Sequence, residues 1–441
     1  MGRRVFIETY GCQMNEADSE LMYGLLRKQG FEVADDAEQA DVVLLNTCAV
    51  REKAEDRIFG RLGWLKSAKA KNPNLVLGVT GCMAERMRDG IVERAPHVDL
   101  VIGPDAYRRL PEMVAQQLHE DGETDPAIDV RLDKRELYTD VPLDRVPGIS
   151  GWITVQRGCD KFCTFCIVPF VRGRERSLPP DEVVAQAQEM AEQGFKEVTL
   201  LGQTVSSYYE RGFDFADLLT RVHAVEGLSR IRFTSPYPND FSDRLLERLA
   251  GLPRIGKHLH LPVQSGSTRI LKDMRRGYTA EAFQDLIGRV RRILPGWAIT
   301  TDIIVGYPGE TEADFQETMD LVGQVRFDGA FMFHYSEREG TRAARTRPDD
   351  IPLEVKKDRL KRLIDQQETL SKASNAAMVG REVEVLVQGR GKRNPNQLIG
   401  RSSCFRTTVL PADEHTAAGD LVRARVSGAT SHTLFAEPIA R

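Results

Sequence analysis

Long apolar runs are missing from this sequence of 441 residues. No segment approaches the roughly 18 consecutive apolar residues that a membrane-spanning helix requires. The N-terminus reaches an acidic residue, Glu8, too early for a secretory signal peptide. We therefore expect a cytoplasmic protein without a membrane anchor, and the length predicts two or three domains.

A strong charge of one sign is also missing. The formal net charge is −4, which argues against indiscriminate binding to nucleic acid, although local basic clusters can still contact a polyanion. Hydrophobic residues at 41% and charged residues at 29% exclude the disordered and fibrous classes. Cysteine is scarce, with seven residues. Because the cytosol keeps thiols reduced, we expect metal, cluster or catalytic roles for these cysteines rather than disulfides.

From residue 3 to residue 118, short runs of Val, Ile and Leu alternate with helical stretches. The pattern predicts buried parallel strands at residues 4–9, 41–46, 75–80 and 98–102. Helices are predicted between them, at residues 17–29, 53–71 and 86–94. This alternation is typical of a doubly wound α/β domain. Residues 119–151, rich in Asp, Glu and Pro, are predicted to be an inter-domain linker.

Two further units follow the linker. Residues 152–374 contain six predicted strands, at 153–156, 197–201, 230–234, 258–263, 298–305 and 327–335. Helices are predicted after most of them, at 180–193, 213–225, 280–294 and 312–325, which indicates an incomplete (β/α)6 barrel. A helix at 353–375 leads to residues 378–441, where strands at 383–387, 404–410, 421–426 and 433–437 predict a small all-β barrel.

Three cysteines lie together after the first predicted strand of the (β/α)6 barrel, in the pattern Cys159-x3-Cys163-x2-Cys166. Barrel enzymes keep their chemistry on such strand-to-helix loops. Three thiolates in one loop can ligate three corners of a [4Fe–4S] cluster, so the fourth iron stays open to another ligand. Structural zinc is the alternative, but it prefers four ligands, and no further Cys or His lies nearby in sequence.

Three other cysteines are far apart in sequence but occupy equivalent places. Cys12, Cys48 and Cys82 each follow a predicted strand of the first unit. The carboxyl ends of parallel strands meet at one edge of a sheet, so these thiols can converge on one site. Small buried cysteines at strand ends are the alternative for any one of them. The matching positions favour a second three-thiolate cluster, with Gly11 and Gly81 permitting tight turns beside it.

The loop triplet, with the aromatic Phe165 before its last cysteine, resembles the signature of the radical S-adenosylmethionine enzymes. The resemblance implies that the open iron binds the amino and carboxylate groups of S-adenosylmethionine. Reduction then cleaves the sulfonium and yields a 5′-deoxyadenosyl radical, which makes Cys159, Cys163 and Cys166 catalytic. A flavodoxin- or ferredoxin-like electron donor is implied as well.

Three motifs around the dispersed cysteines resemble the N-terminal domain of the methylthiotransferases, and the domain order, ending in a TRAM domain, is similar along the whole chain. They are residues 10–15 (Tyr-Gly-Cys-Gln-Met-Asn), 46–52 and 81–86. Residues 11–15, 166–176 and 260–267 are most similar to the branch acting on N6-isopentenyladenosine (dimethylallyladenosine) in tRNA. Branches acting on N6-threonylcarbamoyladenosine in tRNA or on a ribosomal-protein aspartate are alternatives. Thr204 departs from the family, which usually has Asn there.

The resemblance implies that a methylthio group is added to C2 of adenine next to the anticodon of tRNA. One S-adenosylmethionine would methylate sulfur at the Cys12, Cys48 and Cys82 cluster, and a second would be cleaved at the triplet. Two [4Fe–4S] clusters are implied, the sulfur donor is unknown, and we expect a monomer. A non-catalytic RNA-binding protein that senses iron or redox state is the alternative from another class.

Groups that end the predicted barrel strands are candidates for binding S-adenosylmethionine. They are Gln203, Ser235, Gln264 and Gly306, and the family resemblance supports these positions in general. Gly306 is expected to let the backbone approach the adenine. His258, His260 and His334 are interpreted as packing residues, since they lie within predicted strands.

Two basic clusters predict contact with the RNA backbone. Arg172, Arg174 and Arg176 follow the triplet closely, and arginine contacts phosphate through two parallel hydrogen bonds. The last unit carries Arg390, Lys392, Arg393, Arg401 and Arg406, with Phe405 available for stacking on a base. A solvated surface is the alternative for both clusters. Cys404, in a predicted strand of that unit, is interpreted as a core residue.

Overall fold

The computed structural model describes residues 2–49, 52–119 and 125–439. Val50, Arg51, residues 120–124 of the predicted linker and residues 440–441 lie outside that part. The first unit is a parallel sheet in the order β2-β1-β3-β4-β5-β6. Its strands are β1 (Arg4–Thr9), β2 (Glu32–Val33), β3 (Val42–Thr47), β4 (Val76–Gly81), β5 (Leu100–Ile102) and β6 (Ala127–Asp129). Its helices are α1 (Gln13–Lys28), α2 (Glu52–Lys71), α3 (Cys82–Met87), α4 (Asp89–Arg94) and α5 (Leu110–His119).

Helices cover both faces of this sheet because its central strands are buried on both sides. Successive side chains of a strand point to opposite faces. Leu44 of β3 therefore packs with α1 and α5, as shown by its contact cluster with Leu26 and Val114. The next residue, Leu45, packs in a second cluster with Ile58 of α2. The doubly wound prediction is confirmed.

Three local predictions for this unit were wrong. The helix predicted at 86–94 is broken at Arg88, whose φ of 52° ends α3 and starts α4. Helix α1 begins at Gln13, directly after Cys12, and not at residue 17. Residues 127–129 of the predicted linker form β6, which pairs with β5 at the edge of the sheet. A three-residue strand gives no periodic signal, so the sequence could not reveal it.

The second unit is an open (β/α)6 barrel made of two parallel three-stranded sheets, β7-β10-β13 and β14-β15-β16. A bridge between Ile231 of β13 and Ile255, in the segment before β14, joins the two halves. The strands are β7 (Ser150–Thr154), β8 (Gln156–Arg157), β9 (Arg176–Ser177), β10 (Glu197–Leu201), β11 (Tyr209–Glu210), β12 (Phe213–Asp214), β13 (Arg230–Phe233), β14 (His258–His260), β15 (Ala298–Val305) and β16 (Gly329–His334). The helices are α6 (Val168–Val171), α7 (Pro180–Glu192), α8 (Phe215–His223), α9 (Asp243–Ala250), α10 (Thr268–Asp273), α11 (Ala280–Ile293), α12 (Glu312–Val325), α13 (Arg342–Thr346) and α14 (Leu353–Ala376).

Side chains alternate along the barrel strands between the helices and the interior of the barrel. On β15, Ile299 and Ile303 are buried in the main core, whereas Thr300 and Asp302 between them are partly exposed. His260 of β14 contacts both of those polar residues, through Nδ1 at 2.9 Å and Nε2 at 3.2 Å. The predicted six-unit barrel is confirmed, and polar side chains of β14 and β15 line part of its interior. Among the described residues, no helix is long and apolar enough to cross a membrane.

The third unit is a closed five-stranded barrel in the order β17-β18-β19-β21-β20. Its strands are β17 (Glu382–Arg390), β18 (Gln397–Ser402), β19 (Thr407–Pro411), β20 (Leu421–Ala429) and β21 (Thr433–Pro438). The prediction of a small β-barrel is confirmed, although β18 was missed. The prediction that Cys404 is a strand core residue was wrong. Cys404 lies in the turn before β19, with its sulfur 3.7 Å from the carbonyl oxygen of Gly296.

This small barrel packs against the end of the (β/α)6 barrel where the strands begin. Arg230, the first residue of β13, donates to the carbonyl of Arg401 at 2.8 Å. His258, the first residue of β14, stacks on Phe405 with ring centroids 5.3 Å apart. Asp328, just before β16, pairs with Arg406 at 2.5 Å. The loops that follow the barrel strands, where the triplet lies, are therefore at the opposite end.

Candidate functional site with two sets of three cysteines

The dispersed cysteines converge at the carboxyl edge of three neighbouring strands, β1, β3 and β4. Gly11 has a φ of 145°, and a Cβ added there would lie 2.9 Å from the Cβ of Cys48, so the loops after β1 and β3 touch. Burial raises the pKa of the Cys82 thiol to about 12, with smaller contributions from the neighbouring Cys48 and Cys12, although Arg172 opposes the shift. The three sulfurs are close enough to interact electrostatically, as the strand-end positions predict.

Two buried asparagines fix these loops. Asn15 Nδ2 donates to Asn46 Oδ1 at 3.0 Å and to the Thr47 carbonyl at 3.1 Å. Asn46 Nδ2 returns a hydrogen bond to the Asn15 carbonyl at 2.7 Å. Asn15 Oδ1 also accepts from the backbone N–H and the Sγ of Cys12, both at 3.4 Å. These amides hold Cys12 against the strand that leads to Cys48, a role that the sequence reasoning did not assign to them.

The triplet lies on the loop between β8 and α6. Backbone hydrogen bonds hold this loop, from Cys159 N–H to Gly173 O at 3.1 Å and from Cys166 N–H to Cys163 O at 3.0 Å. Burial raises the pKa of the Cys166 thiol to about 12, with smaller contributions from Cys163 and Cys159, so these three thiols are also neighbours. Within the parts of the chain that the structure describes, no three His, Cys, Asp or Glu side chains are grouped to hold one metal ion.

The two cysteine sets are neighbours. Helix α6 follows Cys166 directly, and its flanking Ile167 packs with Cys82 and Ala49 of the first unit. Arg172, at the end of α6, donates from Nε to the Sγ of Cys82 at 3.1 Å. The segment that follows the triplet therefore forms one wall of the other cysteine set.

Arg172 and Arg176 do not form the predicted phosphate-binding surface, because both are buried in ion pairs with the first unit. Arg172 pairs with Asp18 at 2.8 Å, and Arg176 pairs with Asp105 at 2.9 Å. Arg157 also pairs with Asp18, at 2.9 Å. The prediction of RNA contact was therefore wrong for Arg172 and Arg176, whereas Arg174 is exposed and pairs with Asp160 on the surface.

A buried arginine also contacts the triplet. Arg276 donates from Nη1 to the Sγ of Cys163 at 3.3 Å and from Nη2 to the Pro262 carbonyl at 2.9 Å. Its Nε donates to the Tyr278 hydroxyl at 2.9 Å. Sequence reasoning missed this residue, since the contact joins positions 113 residues apart and no local pattern marks it.

The predicted S-adenosylmethionine positions surround the same end of the barrel. Ser235 and Gln264 adopt the left-handed φ values of 54° and 74°, which are uncommon for residues with a side chain. The Oε1 atom of Gln203 is buried without a hydrogen-bond partner among the described residues. A Cβ on Gly306 would lie 2.5 Å from Cγ of Lys356, so that side of the glycine is packed against protein.

Thr204, the position that departs from the family pattern, is buried beside the triplet. Its hydroxyl donates to Glu175 Oε2 at 2.9 Å and lies 4.0 Å from the Sγ of Cys159. Its backbone N–H donates to Gln156 Oε1 at 3.2 Å. A small hydroxyl at this position therefore ties the end of β10 to the first cysteine of the loop.

The basic residues of the C-terminal barrel fall into two groups. Arg390 at the end of β17, and Lys392 and Arg393 in the segment that leads to β18, are exposed. Arg401 is half-buried, donates to Thr407 Oγ1 at 2.8 Å and lies over the ring of Phe405. Arg406 is committed to Asp328 and Asn375 at the interface between the barrels, so the prediction that it contacts RNA was wrong.

Three segments of the chain match known protein families. Residues 4–103 match the uncharacterized protein family UPF0004, residues 153–322 match the radical SAM superfamily, and residues 376–439 match the TRAM domain. The three matches follow the three structural units in order.

Full-length relatives carry a common name. A tRNA-2-methylthio-N6-dimethylallyladenosine synthase from Moorella thermoacetica is 46% identical over 445 residues, covering 99% of each chain. The enzyme of the same name from Parabacteroides distasonis is 45% identical, covering 99% of this chain and 96% of its own. A third, from a Thermoanaerobacter species, is 43% identical and covers 98% and 92%.

Solved structures share the fold at low sequence identity. A radical S-adenosylmethionine methyltransferase from Kitasatospora setae superposes with a TM-score of 0.60 at 17% identity, covering 78% of this chain and 77% of its own. A cobalamin-dependent S-adenosylmethionine radical enzyme reaches a TM-score of 0.53 at 16% identity, covering 83% and 57%. At this identity the likeness supports the arrangement of a doubly wound unit beside an open barrel.

Proposed function

The chain belongs to the family of tRNA-2-methylthio-N6-dimethylallyladenosine synthases, and we propose that it adds a methylthio group to C2 of N6-dimethylallyladenosine (isopentenyladenosine) next to the anticodon of tRNA. One observation carries the proposal to this chain. Two sets of three cysteines, of which only Cys12 is exposed, lie against each other across α6, with Cys82 in contact with the residues that follow Cys166.

We propose that Cys159, Cys163 and Cys166 hold one [4Fe–4S] cluster and that Cys12, Cys48 and Cys82 hold a second. Each set supplies three thiolates, which leaves one iron of each cluster without a protein ligand. A buried guanidinium donates to one sulfur of each set, Arg276 to Cys163 and Arg172 to Cys82. Fixed positive charge beside the sulfurs suits an anionic cluster, which supports the fit of both donor sets.

When bound, the triplet cluster supplies the electron that cleaves S-adenosylmethionine into methionine and a radical able to take the hydrogen from C2 of adenine. The hydrogen would leave in 5′-deoxyadenosine, a second S-adenosylmethionine would supply the methyl group, and the methylthio sulfur at the other site would bond to C2, with the one electron released in that step passing to the cluster held there. The chain's own part is to bind and orient. We propose Gln203, Ser235, Gln264 and Gly306 for S-adenosylmethionine, since these positions end neighbouring strands around the triplet.

We propose that tRNA is held by the exposed cations Arg174, Arg390, Lys392 and Arg393. Lysine and arginine that neutralise phosphates make nucleic-acid binding salt-dependent. In this proposal, segment 3–118 holds the cluster of the dispersed cysteines, segment 152–374 holds the triplet cluster, and segment 378–441 carries most of the tRNA-binding cations. We further propose a cytoplasmic monomer that takes electrons from a flavodoxin- or ferredoxin-like donor and sulfur from a donor still to be identified.

Nucleoside analysis of total tRNA tests the substrate. In a strain lacking the gene, the 2-methylthio derivative of N6-dimethylallyladenosine should disappear and the unmodified precursor should accumulate. Plasmid-borne wild-type gene should restore it. Loss of the 2-methylthio derivative of N6-threonylcarbamoyladenosine instead would assign the chain to the other tRNA branch.

Two measurements on the purified protein test the chemistry. Anaerobic reconstitution should give about eight iron and eight sulfide per chain for two clusters, against about four of each for one. After reduction with dithionite, the protein should convert S-adenosylmethionine to 5′-deoxyadenosine. A protein that only senses iron or redox state would bind both clusters and make no 5′-deoxyadenosine.

A further inference from the structure

Arg276 is a buried cation without a carboxylate partner among the described residues. Its side chain contacts a thiol, a phenol and a backbone carbonyl, and its residue is only 6% exposed. The rings of Tyr237 and Tyr278 flank its guanidinium, at 4.9 and 5.4 Å from their centroids. A buried guanidinium is costly unless a negative charge compensates it. Its contact with the sulfur of Cys163 places it where a bound cluster, which is anionic, would supply that charge.

The other cysteine set differs in this respect. Arg172 is equally buried and donates to Cys82, but its charge is shared with the carboxylate of Asp18 at 2.8 Å. Asp18 also pairs with Arg157, so two guanidinium groups meet one carboxylate. Arg172 is thus part of an ion-pair network that exists without any cluster. The charge of Arg276 has no such partner among the described side chains.

We propose that Arg276 is a positioning residue whose unshared positive charge raises the reduction potential of the cluster held by the triplet. The inference rests on the proposed function only in that the triplet holds a cluster. Hydrogen bonds to the sulfurs and nearby charge set the potentials of iron–sulfur clusters. Reduction adds negative charge to the cluster, and a fixed cation 3.3 Å from a ligand sulfur stabilises that reduced form. Loss of the cation should therefore make the cluster harder to reduce.

The test is a redox titration of the full-length, reconstituted protein, followed by electron paramagnetic resonance. The triplet cluster is identified as the reduced signal that changes when S-adenosylmethionine is added. At the potential where the wild-type cluster is half reduced, Arg276→Gln should lower the ratio of reduced to oxidised cluster at least tenfold, which is 59 mV for a one-electron couple. Arg276→Lys, which keeps the charge, should recover most of that ratio.

Arg275 offers a matched control. It is the neighbouring arginine, it is exposed, and no hydrogen bond joins it to a cysteine among the described residues. Arg275→Gln should leave the ratio unchanged. Iron and sulfide content is measured for every variant, so a potential is compared only at full occupancy of both clusters. If Arg276→Gln loses its cluster, Arg276→Lys and Tyr278→Phe, which removes the hydroxyl that orients Nε, supply the comparison.

The outcomes separate this inference from the proposed function. An unchanged ratio in Arg276→Gln would overturn the role of Arg276. If Arg276→Gln holds no cluster, the role is overturned when Tyr278→Phe leaves the ratio unchanged and Arg276→Lys does not keep it near the wild-type value. The wild type would still make 5′-deoxyadenosine, and the proposed function would stand. If the wild-type protein shows no reduced signal that responds to S-adenosylmethionine, the proposed function itself fails.

Discussion

The two cysteine sets reach a similar arrangement by different routes. Cys159, Cys163 and Cys166 lie within one loop, and its local backbone hydrogen bonds bring their sulfurs together. Cys12, Cys48 and Cys82 depend on the pairing of β1, β3 and β4, and on the Asn15 and Asn46 side chains that join their loops. A local site needs only its loop, whereas a dispersed site needs the whole sheet. We therefore expect the two sets to respond differently to changes in the surrounding protein.

The comparison predicts first that the triplet alone cleaves S-adenosylmethionine. Cys163→Ala should reduce 5′-deoxyadenosine formation to background, because the cluster loses one of its three protein ligands. The amount formed with dithionite is measured by chromatography. Cys404→Ala is the control, since Cys404 lies in a turn beside Gly296, at the other end of the barrel. Persistent 5′-deoxyadenosine in Cys163→Ala would end the assignment of the triplet.

The dispersed set should give the opposite pattern. Cys48→Ala should keep 5′-deoxyadenosine formation and lose the methylthio product, because the triplet remains intact while the sulfur site is broken. Both products are measured in the same reaction with tRNA. A normal yield of methylthiolated tRNA would show that sulfur is not handled at Cys12, Cys48 and Cys82.

Stability should depend strongly on the carboxylate that joins the two sites. Asp18→Asn leaves Arg157 and Arg172 buried with no carboxylate between them, which should lower the free energy of unfolding by about 3–5 kcal/mol. Denaturant unfolding of the metal-free protein measures the change. Asp140→Asn removes a surface partner of Arg108 and should cost below about 1 kcal/mol. Equal effects of the two variants would contradict the buried network.

The smallest predicted effect is a dependence of protein stability on pH through Glu20 of α1, the helix that follows Cys12. Burial on α1, with Glu16 and Asp144 nearby, raises the pKa of Glu20 to about 7, although Arg145 opposes the shift. The folded state therefore keeps a proton that the unfolded chain releases at its ordinary pKa of about 4.3. The stability from Glu20 is fully present below that value and is lost as pH rises toward about 7.

Glu20→Gln should make the loss of stability with rising pH less steep. The unfolding midpoint is measured between about pH 4 and pH 8. The exposed Glu192→Gln should leave the slope as it is in the wild type. An identical slope in Glu20→Gln would mean that another group carries the pH dependence.

Much of the fold could be predicted because its strands are short buried runs of Val, Ile and Leu. The predicted bounds of β1, β10 and β15 agree with the structure, and the helix predicted at 312–325 agrees with α12. The short strands β2, β6 and β9 were missed because they hold too few residues to show a period. The grouping of Cys159, Cys163 and Cys166 could be predicted from their spacing. The grouping of Cys12, Cys48 and Cys82 could be predicted from their positions at strand ends.

The surroundings of the cysteines could not be predicted, because they depend on which side chains become buried. Three arginines after the triplet look alike in sequence, yet Arg174 is exposed while Arg172 and Arg176 are enclosed by acidic residues of the first unit. Asp18 is one of several polar residues on α1, and nothing local marks it as the partner of two arginines. Contacts between distant segments decide these roles, and they emerge only when the units pack together.

The attachment of the small barrel to the far end of the strands has a consequence for substrate choice. β15 is eight residues long, so the (β/α)6 barrel separates the two ends by roughly 26 Å at 3.3 Å per residue. An RNA gripped by the C-terminal barrel while its adenine reaches the cysteines has to extend along that length. Substrate length then becomes a selection criterion: a free nucleoside or a short fragment cannot span this distance, so it would be discriminated against whatever its base.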